Sequence, residues 1–385
     1  MISGRRITVI GGGIAGLSVA LAAAQRGARV RVLERAPRLD GDIGAGLQIS
    51  PNGVAVLTAL GLADELRRIG IANQAVVLRD GATGRRVAAM DLSDRAYFLV
   101  HRGDLVDMLA KATLAAGVDI QVGQAVETLR ETSGGVSLGG SGAAPLAIGA
   151  DGLHSVVRGV LNGARAPAFT GQTAFRALVR ATGKPPARAE VFMGPGRHLV
   201  RYPLRDGALI NLVGVVEQAE WQAEGWSHPA DPDAFRAAFA GFCPGVRDTL
   251  SRVETGFLWG LFRHPVAATW HSRRLALLGD AAHPTLPFLA QGANLALEDA
   301  WVLADCLDRF AQPEGLARYQ ALRRPRVIRA IAAANANARN YHLSNPLVRG
   351  IAHAGLRGIG KVAPGAMLRK FDWLYQHDVT AGPGR

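Results

Sequence analysis

"ITVIGGGIAGLSVALAAAQRGARVRVLER", residues 7 to 35, is apolar, glycine-rich and close to the N-terminus, and it closes on the acid Glu34. A membrane anchor needs an unbroken apolar run. Here Gly11, Gly12, Gly13 and Gly16 interrupt it, and Gln25, Arg26 and Gly27 stop it short of a spanning length. A secretion signal would place charges first, as Arg5 and Arg6 do, but would then end at a small-residue cleavage site. The run continues instead into Ala28 to Leu33, alternating and β-rich, which reads as a second strand. The stretch is therefore a strand (about Arg6 to Ile10), a turn, a helix (about Ile14 to Arg26) and a strand. This is the first βαβ unit of a dinucleotide-binding fold.

Each residue type has a physical task in that unit. Gly11 allows the tight turn, Gly13 lets a pyrophosphate approach the backbone, and Gly16 lets the helix pack closely on the strand. The helix N-terminus offers free N–H groups and partial positive charge to phosphates. Glu34 ends the second strand, where a carboxylate can accept both hydroxyls of a ribose.

Composition sets the outer bounds. The chain has 385 residues and is 49% hydrophobic, enough for a sizeable core in two or more subdomains. No later stretch reads as a membrane span. Cys243 and Cys306 give no disulfide framework and no CxxC metal motif, so no metal site is expected, and the usage fits a reducing cytoplasm. The formal charge of +13 invites a nucleic-acid reading. However, only Lys111, Lys184, Lys361 and Lys370 are lysines, arginines are scattered throughout, and no basic run is interleaved with aromatics. No nucleic-acid partner is expected; a positive field would still draw in anionic small molecules.

Two further segments repeat the logic of a strand followed by Gly and Asp. In "LAIGADGLHSVVR", residues 146 to 158, a buried strand ends at Gly149 and Asp151-Gly152 turns into a helix bearing His154, Ser155 and Arg158. In "RLALLGDAAHPTLPFLAQGANLALEDAW", residues 274 to 301, Leu275 to Leu278 form a strand with Asp280 just beyond its end. A proline-bearing loop then leads to a new helix, in which Leu297, Trp301 and Ala304 share a core-facing stripe. A strand-end carboxylate can hold a polyol chain, and the helix starting near Gly292 points its positive end beyond it. An extended dinucleotide with a ribityl chain and an electron-accepting ring suits both features, which points to FAD. A glycine- and serine-rich patch, Ser133 to Gly142, reads as a hairpin turn.

"GGGIAG" with Glu34, "GADGLHSVVR" and "LLGDAAHPTLPFLAQGANLALEDA", in that order, resemble the three fingerprints of the single-component FAD-dependent aromatic hydroxylases, typified by 4-hydroxybenzoate and salicylate hydroxylases. "GAGLQISPNGVAVLTALGL" (44 to 62) and "HRGDLVDML" (101 to 109) match softer features of the same family. The closing "FDWLYQHDV" looks most like the branch of salicylate, 3-hydroxybenzoate and 6-hydroxynicotinate hydroxylases.

The resemblance implies an α/β fold: a Rossmann-like FAD-binding domain with an inserted antiparallel β-sheet substrate domain and C-terminal helices. The expected boundaries are 1–70, 98–169 and 268–310 for the discontinuous FAD domain, 71–97 and 170–267 for the substrate domain, and 311–385 for the helical segment. Gly11, Gly13 and Gly16 would hold the FAD pyrophosphate, with Glu34 and Arg35 on the adenosine ribose. Arg102 would reach the phosphate and ribityl region, and Val126 sits where such proteins pass backbone beside the adenine. Asp280 would bind the ribityl chain, and Gly292, Ala293 and Asn294 would lie against the flavin ring. Asp151 and Arg158 correspond to a segment that touches FAD and a transient nicotinamide nucleotide. The FAD is expected to be non-covalent. The single GxGxxG implies no second nucleotide domain, so NADH or NADPH would bind briefly, give hydride and leave. In the family, O2 then forms a C4a-hydroperoxyflavin that an electron-rich aromatic ring attacks.

The strands "TAFRALVRAT", "AEVFMG", "HLVRYPL" and "ALINLVGVVE" would form the substrate domain. In "RHLVRYPL", His198, Val200 and Tyr202 alternate onto one face. Relatives with phenolic acid substrates show a His and a Tyr four apart here. His198 is the candidate base for the phenolic proton, since its ordinary pKa lies near the working pH, and Tyr202 would orient the ring. The loop "HPTLPFLAQG" would roof the flavin. Some relatives carry a polar or basic residue at its middle, whereas Pro287, Phe288 and Leu289 are apolar, which favours a plain phenolic ring over a pyridine. Pro287 and Phe288 are the substrate-contact candidates. For the substrate carboxylate, Arg176, Arg201 and Arg205 are all open. His283 reads as structural, and His154 and His264 carry no assignment.

The expected function is an NAD(P)H-dependent aromatic-ring monooxygenase acting on a small phenolic acid, as monomer or homodimer. A hydroxypyridine carboxylate or a larger aromatic is the alternative substrate, and a flavin oxidoreductase without oxygen insertion shares every cofactor motif. A halogenase would carry a tryptophan-bearing motif after the glycine loop, which is missing here; a non-enzymatic FAD-binding module is a further alternative.

Overall fold

The computed structural model describes residues 2–39, 46–163, 166–219, 221, 228–342, 345–362 and 365–382, so Gly44 and Ala45 of the second motif lie outside the described residues. Arg6–Ile10, Ile14–Ala24 and Arg29–Glu34 form the opening strand, helix and strand. The two strands pair in parallel in a sheet whose order is Leu275–Leu277, Ala147–Gly149, Arg6–Ile10, Arg29–Glu34, Asp119–Val122. All four pairings in it are parallel. The three adjacent strands Leu275–Leu277, Ala147–Gly149 and Arg6–Ile10 are mostly apolar and buried, whereas Arg29–Glu34 and Asp119–Val122 toward the other edge alternate with polar residues. The register places Ile10 opposite Gly149 and Gly149 opposite Leu277. The three fingerprint segments therefore leave the sheet side by side at the carboxyl ends of adjacent strands, where open α/β sheets bind ligands.

A second sheet of eight strands runs in the order His228–Pro229, Phe257–Arg263, Ala168–Arg180, Leu209–Glu217, Arg197–Leu204, Ala189–Gly194, Ala75–Asp80, Arg86–Asp91. It takes strands from both 71–97 and 170–267. Its pairings are antiparallel with one departure from the sequence reading: Ala189–Gly194 runs parallel to Ala75–Asp80. Those two strands meet from different excursions of the chain, so no hairpin fixes their relative direction. Side chains alternate across the sheet. Leu199 and Phe192 point to one face, which the helices Pro232–Ala238 and Pro244–Ser251 cover with Phe235, Phe239 and Val246. The other face is left to line a cavity.

Two local elements differ from the sequence reading. Within Ser133 to Gly142, Val136–Ser137 is a strand paired on both sides, so the patch is more than a turn. The helix after Gly149 starts only at Val156: Ser155 caps it by accepting from the Arg158 N–H at 2.9 Å, and His154 stays in the turn. Downstream, Gly292–Arg309 is followed by Gln312–Tyr341, Pro346–Val362, Ala366–Arg369 and Asp372–Tyr375. A buried polar clamp joins the first two. Arg323 donates to Asp299 at 2.7 Å and to Glu298 at 2.5 Å, and Arg326 donates to Glu298 at 2.7 Å.

Candidate active site

A cavity of about 1250 Å³ opens between the carboxyl edge of the parallel sheet and the uncovered face of the mixed sheet. That is larger than a pocket for one drug-sized ligand and leaves room for a cofactor ring together with a substrate. Its lining includes Gly13, Arg35, Arg102, Asp151 and Asp280 at one end, with Gly292 and Ala293. His198, Tyr202, Pro287 and Phe288 line the other part. Gly11, Gly16, Glu34, Val126 and Asn294 are not among the described residues that line the cavity.

The glycines divide by geometry. Gly11 has φ +104°, and a Cβ there would lie 2.3 Å from the Ala150 carbonyl oxygen; at Gly16 it would lie 1.9 Å from the Gly11 carbonyl oxygen. Both are required by packing. A Cβ at Gly13 would meet nothing within 4 Å, because it faces open cavity. The Ile14–Ala24 helix has neither a side-chain cap nor an acid in its first turn, so its N–H groups stay available to an anion. Glu34 is fixed by accepting from the Gly12 N–H at 2.6 Å and the Ala36 N–H at 2.8 Å.

Asp280 sits in the 3-10 turn Gly279–Ala281 directly after its strand. Protein surrounds it, yet its side chain is open to the cavity; burial pushes its carboxyl up, partly countered by His283 and Arg102. The Gly292–Arg309 helix likewise starts without a side-chain cap or an acid in its first turn. Asn294 braces that start from behind: its Oδ1 accepts from the Ser50 N–H at 3.0 Å, and its amide donates to the Gln48 and Ala290 carbonyls at 3.0 and 2.8 Å. These features suit an FAD: free N–H groups and open space at a pyrophosphate, Arg35 and Arg102 beside it, an acid for a polyol, and a positive helix end for an electron-accepting ring.

Other predicted cofactor residues are placed differently. Asp151 lines the cavity but is engaged, accepting from Ser155 Oγ at 2.5 Å and the Val156 N–H at 2.8 Å. Arg158 turns away and donates to the Pro265 carbonyl at 2.5 Å. The Val126 side chain packs in the core of the parallel sheet. His283 is structural: it is buried, stacked on Trp270 and 2.5 Å from Asp299.

On the opposite wall, His198, Val200 and Tyr202 point from Arg197–Leu204 into the cavity. His198 is 3% exposed, and burial, then the neighbouring His342, hold its pKa well below the ordinary range, so the ring is neutral. Its Nδ1 is 2.6 Å from His342 Nε2, and its ring centroid is 6.1 Å from that of Phe288. Burial pushes the Tyr202 hydroxyl up, against a smaller opposing pull from Arg176. Tyr202 also packs where a Cβ on Gly46 would fall 2.5 Å from its ring, so Gly46 must be glycine for the two to coexist.

The three arginines left open by the sequence separate. Arg201 is paired with Glu190 at 2.9 Å and Arg205 with Asp104 at 2.7 Å. Arg176 lines the cavity above the Trp259 ring, 5.0 Å from its centroid, and its Nε is enclosed without a hydrogen-bond acceptor. Burial lowers its pKa; Tyr202 opposes this, and the charged group acting alongside burial is another cation, Arg102. Its enclosed charge therefore has no carboxylate partner among the described residues.

Sequence reasoning missed the far end of the cavity, where His353, Leu356, Met367 and Tyr375 from the C-terminal helices face Val76, Leu78 and Met90. It also missed His342. Among the described residues no cluster of His, Cys, Asp or Glu could hold a metal, and no helix is long and apolar enough to cross a membrane.

The FAD binding domain family model matches residues 5–334. The chain is 39% identical over 356 residues to the 3-amino-4-hydroxybenzoate 2-monooxygenase of Streptomyces cremeus, covering 88% of each chain. It is 32% identical over 391 residues to the 3-hydroxybenzoate 6-hydroxylase of Klebsiella oxytoca, covering 96% of each. A solved salicylate hydroxylase substrate complex superposes with TM-score 0.81 at 26% identity, over 98% of this chain and 96% of that one.

Proposed function

The chain belongs to the FAD-binding family of single-component aromatic hydroxylases, and on that premise we propose that it uses NADH or NADPH and O2 to hydroxylate a small phenolic aromatic acid of the salicylate or 3-hydroxybenzoate kind. One observation carries the substrate class. A neutral imidazole, a tyrosine and an enclosed guanidinium without an acid share one wall of the cavity, opposite an apolar turn. This set complements a ring bearing one hydroxyl and one carboxylate, and the names of the relatives describe such acids.

In this reading, segments 1–70, 98–169 and 268–310 hold a non-covalent FAD, and 71–97 with 170–267 hold the substrate. The Gly13 backbone, Arg35 and Arg102 receive the pyrophosphate and ribose, with Glu34 in support, and Asp280 takes the ribityl hydroxyls. When bound and reduced by the nicotinamide, FAD supplies the activation of O2 and the electrophilic oxygen atom. The protein's own residues do the rest. Arg176 anchors the carboxylate through charge-assisted hydrogen bonds. Tyr202 orients the ring, and Pro287 and Phe288 close over it and exclude water. His198 accepts the phenolic proton at Nε2, which raises the electron density of the ring for attack on oxygen.

The test is a panel of hydroxybenzoates, amino-hydroxybenzoates and hydroxypyridine carboxylates, scored by stimulated NAD(P)H oxidation and by product mass under ¹⁸O2. One phenolic acid should give a product heavier by a single labelled oxygen. Oxidation of NAD(P)H with no labelled product from any member would replace this function with a reductase or oxidase on the same fold.

A further inference from the structure

The proton that His198 accepts has to leave the cavity. His198 stands opposite Val215 in the pairing of Arg197–Leu204 with Leu209–Glu217. Side chains alternate, so Glu217, two residues on, shares the face of His198 but lies diagonally from it, about 7 Å or more away. His342, just past the end of Gln312–Tyr341, fills that gap. Its Nε2 is 2.6 Å from His198 Nδ1, and its Nδ1 is 2.9 Å from Glu217 Oε1. The His342 side chain is 3% exposed and that of Glu217 is 50% exposed, so the row runs from the cavity to solvent. Gln172 Nε2 lies 3.3 Å from the same His342 Nδ1. That nitrogen therefore has an acceptor, Glu217, when it carries a proton and a donor, Gln172, when it does not.

Resting on the function proposed above, we propose that His342 and Glu217 relay the phenolic proton from His198 to solvent. As the phenol gives its proton to His198 Nε2, the His198 Nδ1 proton passes to His342 Nε2. The His342 Nδ1 proton passes to the Glu217 carboxylate, which releases it to water. One proton leaves the cavity, the phenolate stays, and each imidazole ends in its other tautomer. Neither ring has to hold a charge in the interior, where desolvation would penalise it.

The experiment uses the holoenzyme with oxidised flavin and no reduced nicotinamide, so no turnover intervenes. Stopped-flow mixing with 3-hydroxybenzoate reads the phenolate ultraviolet band, and a pH-indicator dye in weak buffer reads proton release. In the wild type both should appear together. In His342→Gly the probe should still bind while ionisation slows about 10²-fold, and added imidazole should restore the rate. Glu217→Gln should delay proton release, and Glu217→Asp should keep it near wild type. Ionisation in His342→Gly as fast as in wild type overturns the relay, and so does slowing that imidazole does not rescue. A wild type that yields labelled product yet releases no proton to the dye overturns the relay and leaves the function intact. Absence of labelled product from every phenolic acid overturns the function itself.

Discussion

The Gly279 N–H donates to Asp299 Oδ2 at 3.1 Å, tying the turn that carries Asp280 to the body of the Gly292–Arg309 helix. The strand-end acid and the helix N-terminus that face one cavity are thus held together by a buried carboxylate that does not itself line that cavity. Asp299 also meets His283 and Arg323. Burial alone would raise its carboxyl, but these two partners outweigh burial and hold it at about 2.

Acid stability should depend on that shift. A carboxyl at about 2 in the folded state, against 3.8 ordinarily, adds stability that is complete above about pH 4. It is lost as the pH falls from there through about 2, by roughly 2 kcal/mol in total. Asp299→Asn should destabilise at neutral pH by about 3–5 kcal/mol, because His283 and Arg323 lose their buried partner. Its stability should also fall less steeply between pH 4 and 2. Urea unfolding across that range measures both; equal slopes in variant and wild type would remove Asp299 as the source.

Gly11 and Gly13 should respond in opposite ways. Gly11→Ala places a Cβ at positive φ and against Ala150, so it should lower the melting temperature with or without FAD. Gly13→Val places its Cβ with no protein atom within 4 Å and should leave the apo-protein stable while abolishing FAD retention, since its side chain would occupy the space of the pyrophosphate. Asp280→Ala should weaken retention more mildly. The ratio of flavin to protein absorbance after gel filtration, read beside apo-protein melting, separates these outcomes. A Gly13→Val protein that keeps its flavin would move the pyrophosphate elsewhere.

The first βαβ unit was legible because its periodicity switches from two to helical and back within a single quoted stretch, and glycine marks each change. That strands end near Ile10, Gly149 and Leu277 could be anticipated because each is followed by a recognisable turn; that these three strands are neighbours could not. Long-range partner choice leaves no such local mark. The parallel pairing of Ala189–Gly194 with Ala75–Asp80 joins separate excursions of the chain. His198 and His342 are 144 residues apart, and "NYHLSNP" has no pattern to flag the second histidine. Arg176, Arg201 and Arg205 differ only in whether an acid lies nearby in space, which spacing along the chain does not encode.

Arg176 gives the sharpest test of the substrate class. If it is the carboxylate anchor, Arg176→Ala should weaken binding of hydroxybenzoates by about 2 kcal/mol or more, roughly 30-fold in Kd. Binding of the matching phenols without a carboxylate should change little or improve, since the unpaired cation is gone. Arg176→Lys should recover only part of the loss, because a point charge cannot reproduce a planar fork stacked over Trp259. Flavin fluorescence titration with each ligand pair measures this. Equal losses for acids and plain phenols would give Arg176 a packing role only.

His198→Gln tests the chemistry. Glutamine keeps a hydrogen-bonding group in the Arg197–Leu204 strand but can neither take up a proton nor pass one to His342. FAD binding and flavin reduction should remain near wild type, because His198 lies on the wall opposite the Gly13 and Asp280 end of the cavity. Hydroxylation should fall by about 10²–10⁴-fold, the usual effect of losing a general base. NAD(P)H oxidation should continue and run increasingly to hydrogen peroxide, because a ring that keeps its phenolic proton is too electron-poor to take the oxygen. Raising the pH should recover part of the coupling, as solvent hydroxide ionises the phenol before it binds. Coupling is read as the ratio of labelled product to NAD(P)H consumed, with catalase separating out the peroxide. A His198→Gln enzyme as well coupled as wild type at neutral pH would mean that the phenolic proton leaves by a path that bypasses His198, with Tyr202 the next group on that wall to replace.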